Sequence, residues 1–459
     1  MRADHSHILS GTKGHAELRT HSNRTISISL LNGALVDNSR SEKSGASARV
    51  YANGCWGFAS IPDTSEGSLK EILGQASCNA SLIANAKRKS GPAELGLSKG
   101  RGDLDFGTKK ARLAQKELVD YLRAIDAHVE KKYPGVKRRV VFYGLDMEKN
   151  VHTTGGARAY SNVPRAHVHV FLTMSGKNGA PVELMHSDGG LGHFEDLFFD
   201  PEKYCAGMGQ VYENLKMKAE GIYAEAGTHD VILASDLAGI LAHEAIGHTT
   251  EADNIQGGSV ATDFYGKEAA SPLVSLVDFA HTAYGQTCPV PVHVDDEGTP
   301  AEDCVIIDKG ILRNYMHNRE SAAILGMRAH GNARGFEFSD EPLIRMRNTA
   351  ILPGKSKLAE MIASIDNGYL LTNPGNGQAD TSGEFMFLVR YGYEIKNGKL
   401  GNAMQETTIS GKAFDMLKTV SMVSDDMEWI SRGFCGKKQP MSVGMGGPAI
   451  KCRVNVGGR

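Results

Sequence analysis

The chain has 459 residues, with 51 Lys and Arg against 53 Asp and Glu, a net charge of −2 and a pI near 6.8. That length exceeds one ordinary core and implies two domains, and the near-neutral balance leaves no electrostatic footprint for nucleic acid. No apolar run approaches the ~18 residues of a membrane span, and the opening Met-Arg-Ala-Asp-His-Ser-His has no apolar signal core, so the expected setting is soluble and cytoplasmic.

From about 15 to 60 the sequence alternates in short strand-like runs such as Thr25-Ile-Ser-Ile-Ser-Leu30, broken by Asn32-Gly33, a hairpin signal. The pattern then predicts a helix from Ser68 to Lys87 and a Gly-, Ser- and Lys-rich loop over 88–109. A second helix is expected from Lys110 to Lys132, striped by Leu118, Leu122, Ile125 and Val129, with Lys109, Lys110, Arg112 and Lys116 as its solvated face. Strands follow at 136–144 and 166–173, and a third helix from Met208 to Ala226. A domain boundary is expected within 205–228, dividing 1–215 from 216–459. The N-terminal part reads as an α/β-type domain. The remainder has many turns and few long helices beyond 236–248 and about 355–365, so it reads as a largely β domain carrying the helix at 236–248. The fold class is α+β.

The most informative run lies on that helix: His243-Glu244-Ala245-Ile246-Gly247-His248. Asp230-Val-Ile-Leu-Ala234 reads as a buried strand before it, with Ser235 or Asp236 as the N-cap and Leu237, Ile240 and Leu241 facing a core. Neutral imidazoles suit zinc, and a carboxylate beside them can take a proton from water. Metal-assisted hydrolysis is therefore the leading reading. The more familiar spacing places the histidines four apart on one helix face. Here they are five apart, roughly 140° around a regular α-helix. The helix must distort or end near Gly247 for both rings to reach one ion.

A third ligand has to come from elsewhere. Glu251, three residues past His248, is one candidate. Among the seven cysteines there is no CxxC pair, and their scatter suits a reducing compartment. Cys435 stands out, because flanking glycines and Lys437 and Lys438 favour close approach and the thiolate. Cys452 is the next candidate.

Several blocks occur in a recognisable order. They begin with Ser47-Ala-Arg-Val-Tyr51, Gly54-Cys-Trp-Gly-Phe-Ala59 and the His243–His248 run. Asp295-Asp-Glu-Gly-Thr-Pro300, Gly310-Ile-Leu-Arg-Asn-Tyr-Met316 and Arg345-Met-Arg-Asn-Thr349 with Leu352-Pro-Gly354 follow. Gly377-Gln-Ala-Asp-Thr-Ser-Gly383, Cys435-Gly-Lys437, Val443-Gly-Met-Gly-Gly-Pro448 and Val456-Gly-Gly458 complete the set. In this order the chain resembles the TldD/PmbA family, once labelled modulator of DNA gyrase, and within it the TldD-type metallopeptidase subunit. The resemblance implies a Zn2+ ion held by His243, His248 and Cys435, with Glu244 as general base. It also implies unfolded peptide as substrate, admitted to the cavity of a dimer. That dimer is either a homodimer or a heterodimer with a motif-lacking, TldE/PmbA-like homologue. Family members often continue Gly-Leu-Glu-Gly-Asp after the motif, where this chain has Thr249-Thr-Glu-Ala-Asp253: the acids stay in register and the glycines are lost.

Two other functions compete with the peptidase reading: a non-catalytic peptide-binding or regulatory partner, and a zinc amidohydrolase acting on small conjugates. Three further features read as structural. His167-Val-His169 puts two rings on one strand face, Gly444-Met-Gly-Gly447 reads as a tight turn near Cys435, and Asp295-Asp-Glu-Gly reads as a turn.

Overall fold

Seven strands build the first sheet of the computed structural model, which describes residues 4–12, 14–86, 91–92, 94–198 and 200–457. Its spine is Cys55–Ile61, Ala34–Ala52, His15–Leu31, Lys137–Thr153 and Arg158–Ser175, all antiparallel neighbours, and Pro181–Leu191 continues it. The hairpin at Asn32-Gly33 forms as expected. Both residues have positive φ, 48° and 81°, the combination a two-residue turn between twisted strands requires.

Helices cover one face of this sheet. Glu66–Ala86 buries Leu69, Ile72, Leu73 and Ala76 on Leu18, Ala48 and Val50. Gln115–Lys132 buries the Leu118, Leu122, Ile125 and Val129 stripe on Ile28, Phe142 and Val168. Residue 87 of the first predicted helix and residues 88–90 and 93 of the predicted loop lie outside the described residues. The expected strands at 136–144 and 166–173 are longer, at Lys137–Thr153 and Arg158–Ser175, and three other differences are larger in kind. Arg101–Asp105 is a strand, paired parallel to Arg158–Asn162. The second helix starts at Gln115, because Lys110 and Arg112 are drawn away to the Glu195 carbonyl and to the Asp146 and Glu195 carboxylates. The third helix stops at Ala219.

The second half is largely β. One six-stranded sheet runs Ile311–Leu312, Cys304–Asp308, Leu276–Phe279, Asn348–Ile351, Met441–Gly447 and Glu428–Cys435. The other contains Asn367–Ala379, Gly227–Leu233, Ile450–Val456, Thr407–Lys412 and Glu384–Lys396 in that order. Because Asn367–Ala379 also pairs with Glu384–Lys396, this circuit of five strands closes on itself. Closure leaves no long edge and encloses a core that includes Val231, Leu371, Phe387, Ile409 and Val454.

A buried layer of charge joins the first sheet to the turn at Asp295. Asp296 accepts from Arg19 at 2.7 Å and Lys149 at 2.8 Å, and Arg49 bridges Glu17 and Glu297 at 3.3 and 3.0 Å. The backbone forms the expected turn, with Asp295 Oδ1 accepting from the Glu297 and Thr299 N–H groups. The turn thus presents acids to the basic face of the first sheet.

Candidate metal centre

The helix with the two histidines lies between the six-stranded sheet and the closed circuit. It follows strand Gly227–Leu233, as the sequence implies. Its N-cap is Ala234, not Ser235 or Asp236. Asp236 instead turns its carboxylate to Leu237 N, Asn373 N and Thr372 Oγ1, at 2.8, 2.8 and 3.1 Å, tying the helix start to the neighbouring strand.

The first turns, Ser235–Leu241, are α-helical; Ala242–Gly247 is a π-helix; His248–Thr250 is 3-10. The distortion falls where Gly247 predicts it. The His248 N–H donates to the His243 carbonyl, an i to i+5 bond. That widened turn brings residues five apart onto one side, and the two imidazole centres lie 5.1 Å from each other. Gly247 also makes room for Met346, whose Sδ a Cβ there would displace.

The glycine run at 444–447 is strand, not turn. It forms part of Met441–Gly447, and the helix approaches it at backbone distance through its own Gly239, where a Cβ would sit 3.1 Å from Gly446 N. The adjacent strand, Glu428–Cys435, ends at the site.

One donor atom from each of His243, His248 and Cys435 falls within 4.8 Å of the others, and these three residues are the one such cluster among the described residues. Cys435 Sγ is 3.3 Å from His248 Nε2, and Glu244 Oε2 is 3.5 Å from the same nitrogen. Both ring nitrogens of the fully buried His243 lack a hydrogen-bond partner. Burial pushes the Cys435 thiol up, but polar contact with His243 and His248 and their charge outweigh it, bringing it down to about 4. Cys452 contrasts with it: this residue sits in a strand opposite Val231, and burial pushes its thiol up to about 12.

Glu251 takes a different place from that of a ligand beside the other two. Its Oε2 lies 2.7 Å from His248 Nδ1, the nitrogen facing away from Cys435. Lys437 Nζ lies 3.1 Å from Glu251 Oε2 and 2.7 Å from Asp253. Burial pushes Glu251 up, yet His248 and Lys437 hold it below its usual range. Lys437 and the Glu251/Asp253 register are visible in the sequence, but their bonds to each other are not.

Arg345 was also missed. Fully buried, it donates to the carbonyls of Cys435, Lys437 and Gln439 at 2.8–2.9 Å, fixing the backbone beside the thiol. The signal available was the spacing Arg345-Met-Arg347, two cations on one strand-like face.

His167 and His169 do stack on one face, ring centres 5.9 Å apart, but no third ligand group joins them among the described residues. Burial lowers both, to about 3 and about 4. A groove of about 850 Å³ opens beside Glu244 and His248, lined also by residues 373–381 and by Arg390, Arg432, Phe434 and Lys437.

Residues 226–458 match the model of the PmbA/TldA metallopeptidase C-terminal domain, and residues 16–80 that of PmbA/TldA metallopeptidase domain 1. The chain belongs to the TldD/PmbA family. It is 31% identical to a metalloprotease of Methanothermobacter thermautotrophicus, over 97% of this chain and 95% of that one. It is 28% identical to a zinc metalloprotease TldD homolog of Saccharolobus solfataricus, over 90% of each. The crystal structure of TldE from Thermococcus kodakarensis superposes with a TM-score of 0.75, at 18% identity and 97% coverage of both chains. A likeness at that identity shows the shared fold. This TldD/PmbA member is thus of a metallopeptidase family with a mixed α+β fold, and no helix among its described residues is long and apolar enough to cross a membrane.

Proposed function

We propose that this chain is a zinc peptidase acting on unfolded peptides or peptide precursors, with His243, His248 and Cys435 as the ligands and Glu244 as general base. The observation that carries this is the convergence of those three donors with a carboxylate beside them in one open groove. The donor set fits the ion. His243 is buried with both nitrogens unsatisfied, a costly arrangement that a ligated cation relieves, and Cys435 is poised as thiolate, the form that ligates. Two imidazoles and a thiolate leave the fourth tetrahedral position open.

When bound, zinc supplies Lewis-acid polarisation of the peptide carbonyl and acidification of a water. Glu244 takes the proton of the attacking water on its carboxylate and delivers it to the leaving amine nitrogen. Glu251 accepts a hydrogen bond from the Nδ1–H of His248, which keeps the proton on that nitrogen and leaves Nε2 free to ligate, while Lys437 holds Glu251 in place. Pairing of strand Asn367–Ala379 with Gly227–Leu233 ends at Leu371, so the lining residues beyond it suit an extended, unfolded chain rather than a folded one.

The reading extends to assembly: a dimer, either with a second copy or with a TldE/PmbA-like homologue lacking the motif. It places the chain in the cytoplasm, where its seven unpaired thiols stay reduced. It assigns 1–215 to the N-terminal domain and 216–459 to the metallopeptidase domain.

The test is hydrolysis of casein against hydrolysis of small amides. Chelator-sensitive cleavage of casein supports the peptidase; cleavage confined to small amides assigns an amidohydrolase instead. A second expected result concerns Glu251. Glu251→Gln is expected to weaken zinc binding about 10–100-fold in competition with a chromophoric chelator. Unchanged affinity would remove Glu251 from the scheme.

A further inference from the structure

Three cations line the groove beside Glu244 and His248, and they differ in what they are bonded to. Lys437 is committed to Glu251 and Asp253. Arg390 makes one long ion pair, Nη1 3.6 Å from Glu183, and its buried Nε has no partner. The Arg432 guanidinium makes no hydrogen bond or ion pair with any described residue, although the residue is partly buried. Burial lowers its pKa, and the charge of Asp236 alone opposes this. Asp236 forms no ion pair with it; its oxygens accept from Leu237, Thr372 and Asn373. The histidines nearest in charge, His167, His169 and His186, are each held low, first by burial and then in part by Arg432. Two acids line the groove. Glu244 faces the candidate centre, and Asp380 is engaged by Ser382 and the Glu384 N–H.

A guanidinium carries five fixed donors and no acceptor, and its planar fork matches a carboxylate. The Asp236 charge acts on Arg432 without an ion pair between them, and Arg432 lines the groove. The unmatched charge therefore faces the groove, where a substrate would lie.

We propose that Arg432, assisted by Arg390, forms a carboxylate-binding subsite that selects peptides carrying an anionic group, whether a C-terminal carboxylate or an acidic side chain. The inference rests on the peptidase reading. It assigns Arg432 a part in specificity, not in the chemical step.

The experiment measures kcat/KM of the zinc-loaded protein on two pairs of otherwise identical peptides: free acid against C-terminal amide, and internal Glu against Gln. The anionic member of at least one pair is expected to be preferred about ten- to hundredfold, and the pair that responds identifies the source of the carboxylate. Arg432→Gln is expected to abolish the preference and Arg432→Lys to restore part of it. The ratio within a pair is the readout, so a general loss of activity in a variant does not mask the result. Equal kcat/KM for charged and neutral peptides in the unaltered protein, or a ratio untouched by Arg432→Gln, overturns the subsite. Hydrolysis of none of the four peptides overturns the peptidase reading and the subsite with it.

Discussion

Glu244→Gln is expected to keep its metal and lose about 10²–10⁴-fold in kcat for peptide hydrolysis, the span general acid–base catalysis contributes. The substitution preserves side-chain size and removes the proton acceptor. Glu244 Oε2 lies 3.5 Å from His248 Nε2 and borders the groove, so it reaches the site without belonging to the three converging donors. KM is expected to change little, because the carboxylate acts on the proton rather than on the bound peptide. Zinc content and kcat are measured on the same preparation. Full activity with metal retained would remove Glu244 as the base; loss of metal would make it a ligand instead.

The second large effect is on stability. Asp278 is fully buried and accepts from the Arg347 N–H and Nε, the Asn332 side chain, the Asn348 N–H and Thr349 Oγ1, at 2.8–3.2 Å. Arg347, also fully buried, gives its remaining donors to the carbonyls of Asp278, Glu302, His330 and Gly331. Asp278→Ala strands that guanidinium inside the protein, and breaking such a pair costs about 3–5 kcal/mol. A drop of that size in unfolding free energy by urea denaturation is expected. A single-variant loss below about 1 kcal/mol would contradict this account of the sheet. The effect bears on the candidate centre, because the Arg347 carbonyl accepts from Gly444 N in the strand against which the histidine helix packs.

Much of this architecture follows from local pattern. The stripes at 118–129 and 237–241 place two helices, and Asn32-Gly33 places a turn. The five-residue spacing of His243 and His248 already demands a distorted helix, and Gly247 marks the place, because the rule there is steric and short-range. What the sequence leaves open depends on distant partners. From the residues alone Glu251, Cys435 and Cys452 all stay open as third donors, with Cys435 favoured by its flanking glycines and lysines. Their separation comes from strand register, which puts Cys435 at the end of a strand beside the helix and Cys452 opposite Val231. Likewise Gly444–Gly447 carries turn-like composition but lies in a strand, where Gly444 and Gly446 make room for Asn348, Pro289 and Trp429. Asp236 looks like a cap yet finds better donors in Asn373 and Thr372. Arg345 and Arg347 show only their spacing on one strand-like face; their burial depends on distant carbonyls and on Asp278.

The central claim is that His243, His248 and Cys435 hold one zinc ion. Elemental analysis of the purified protein beside Cys435→Ala tests it most directly. About one zinc per chain, lost in the variant, is the result expected of a three-donor site. Zinc retained at the same stoichiometry and affinity without Cys435 would contradict it and move the third donor elsewhere.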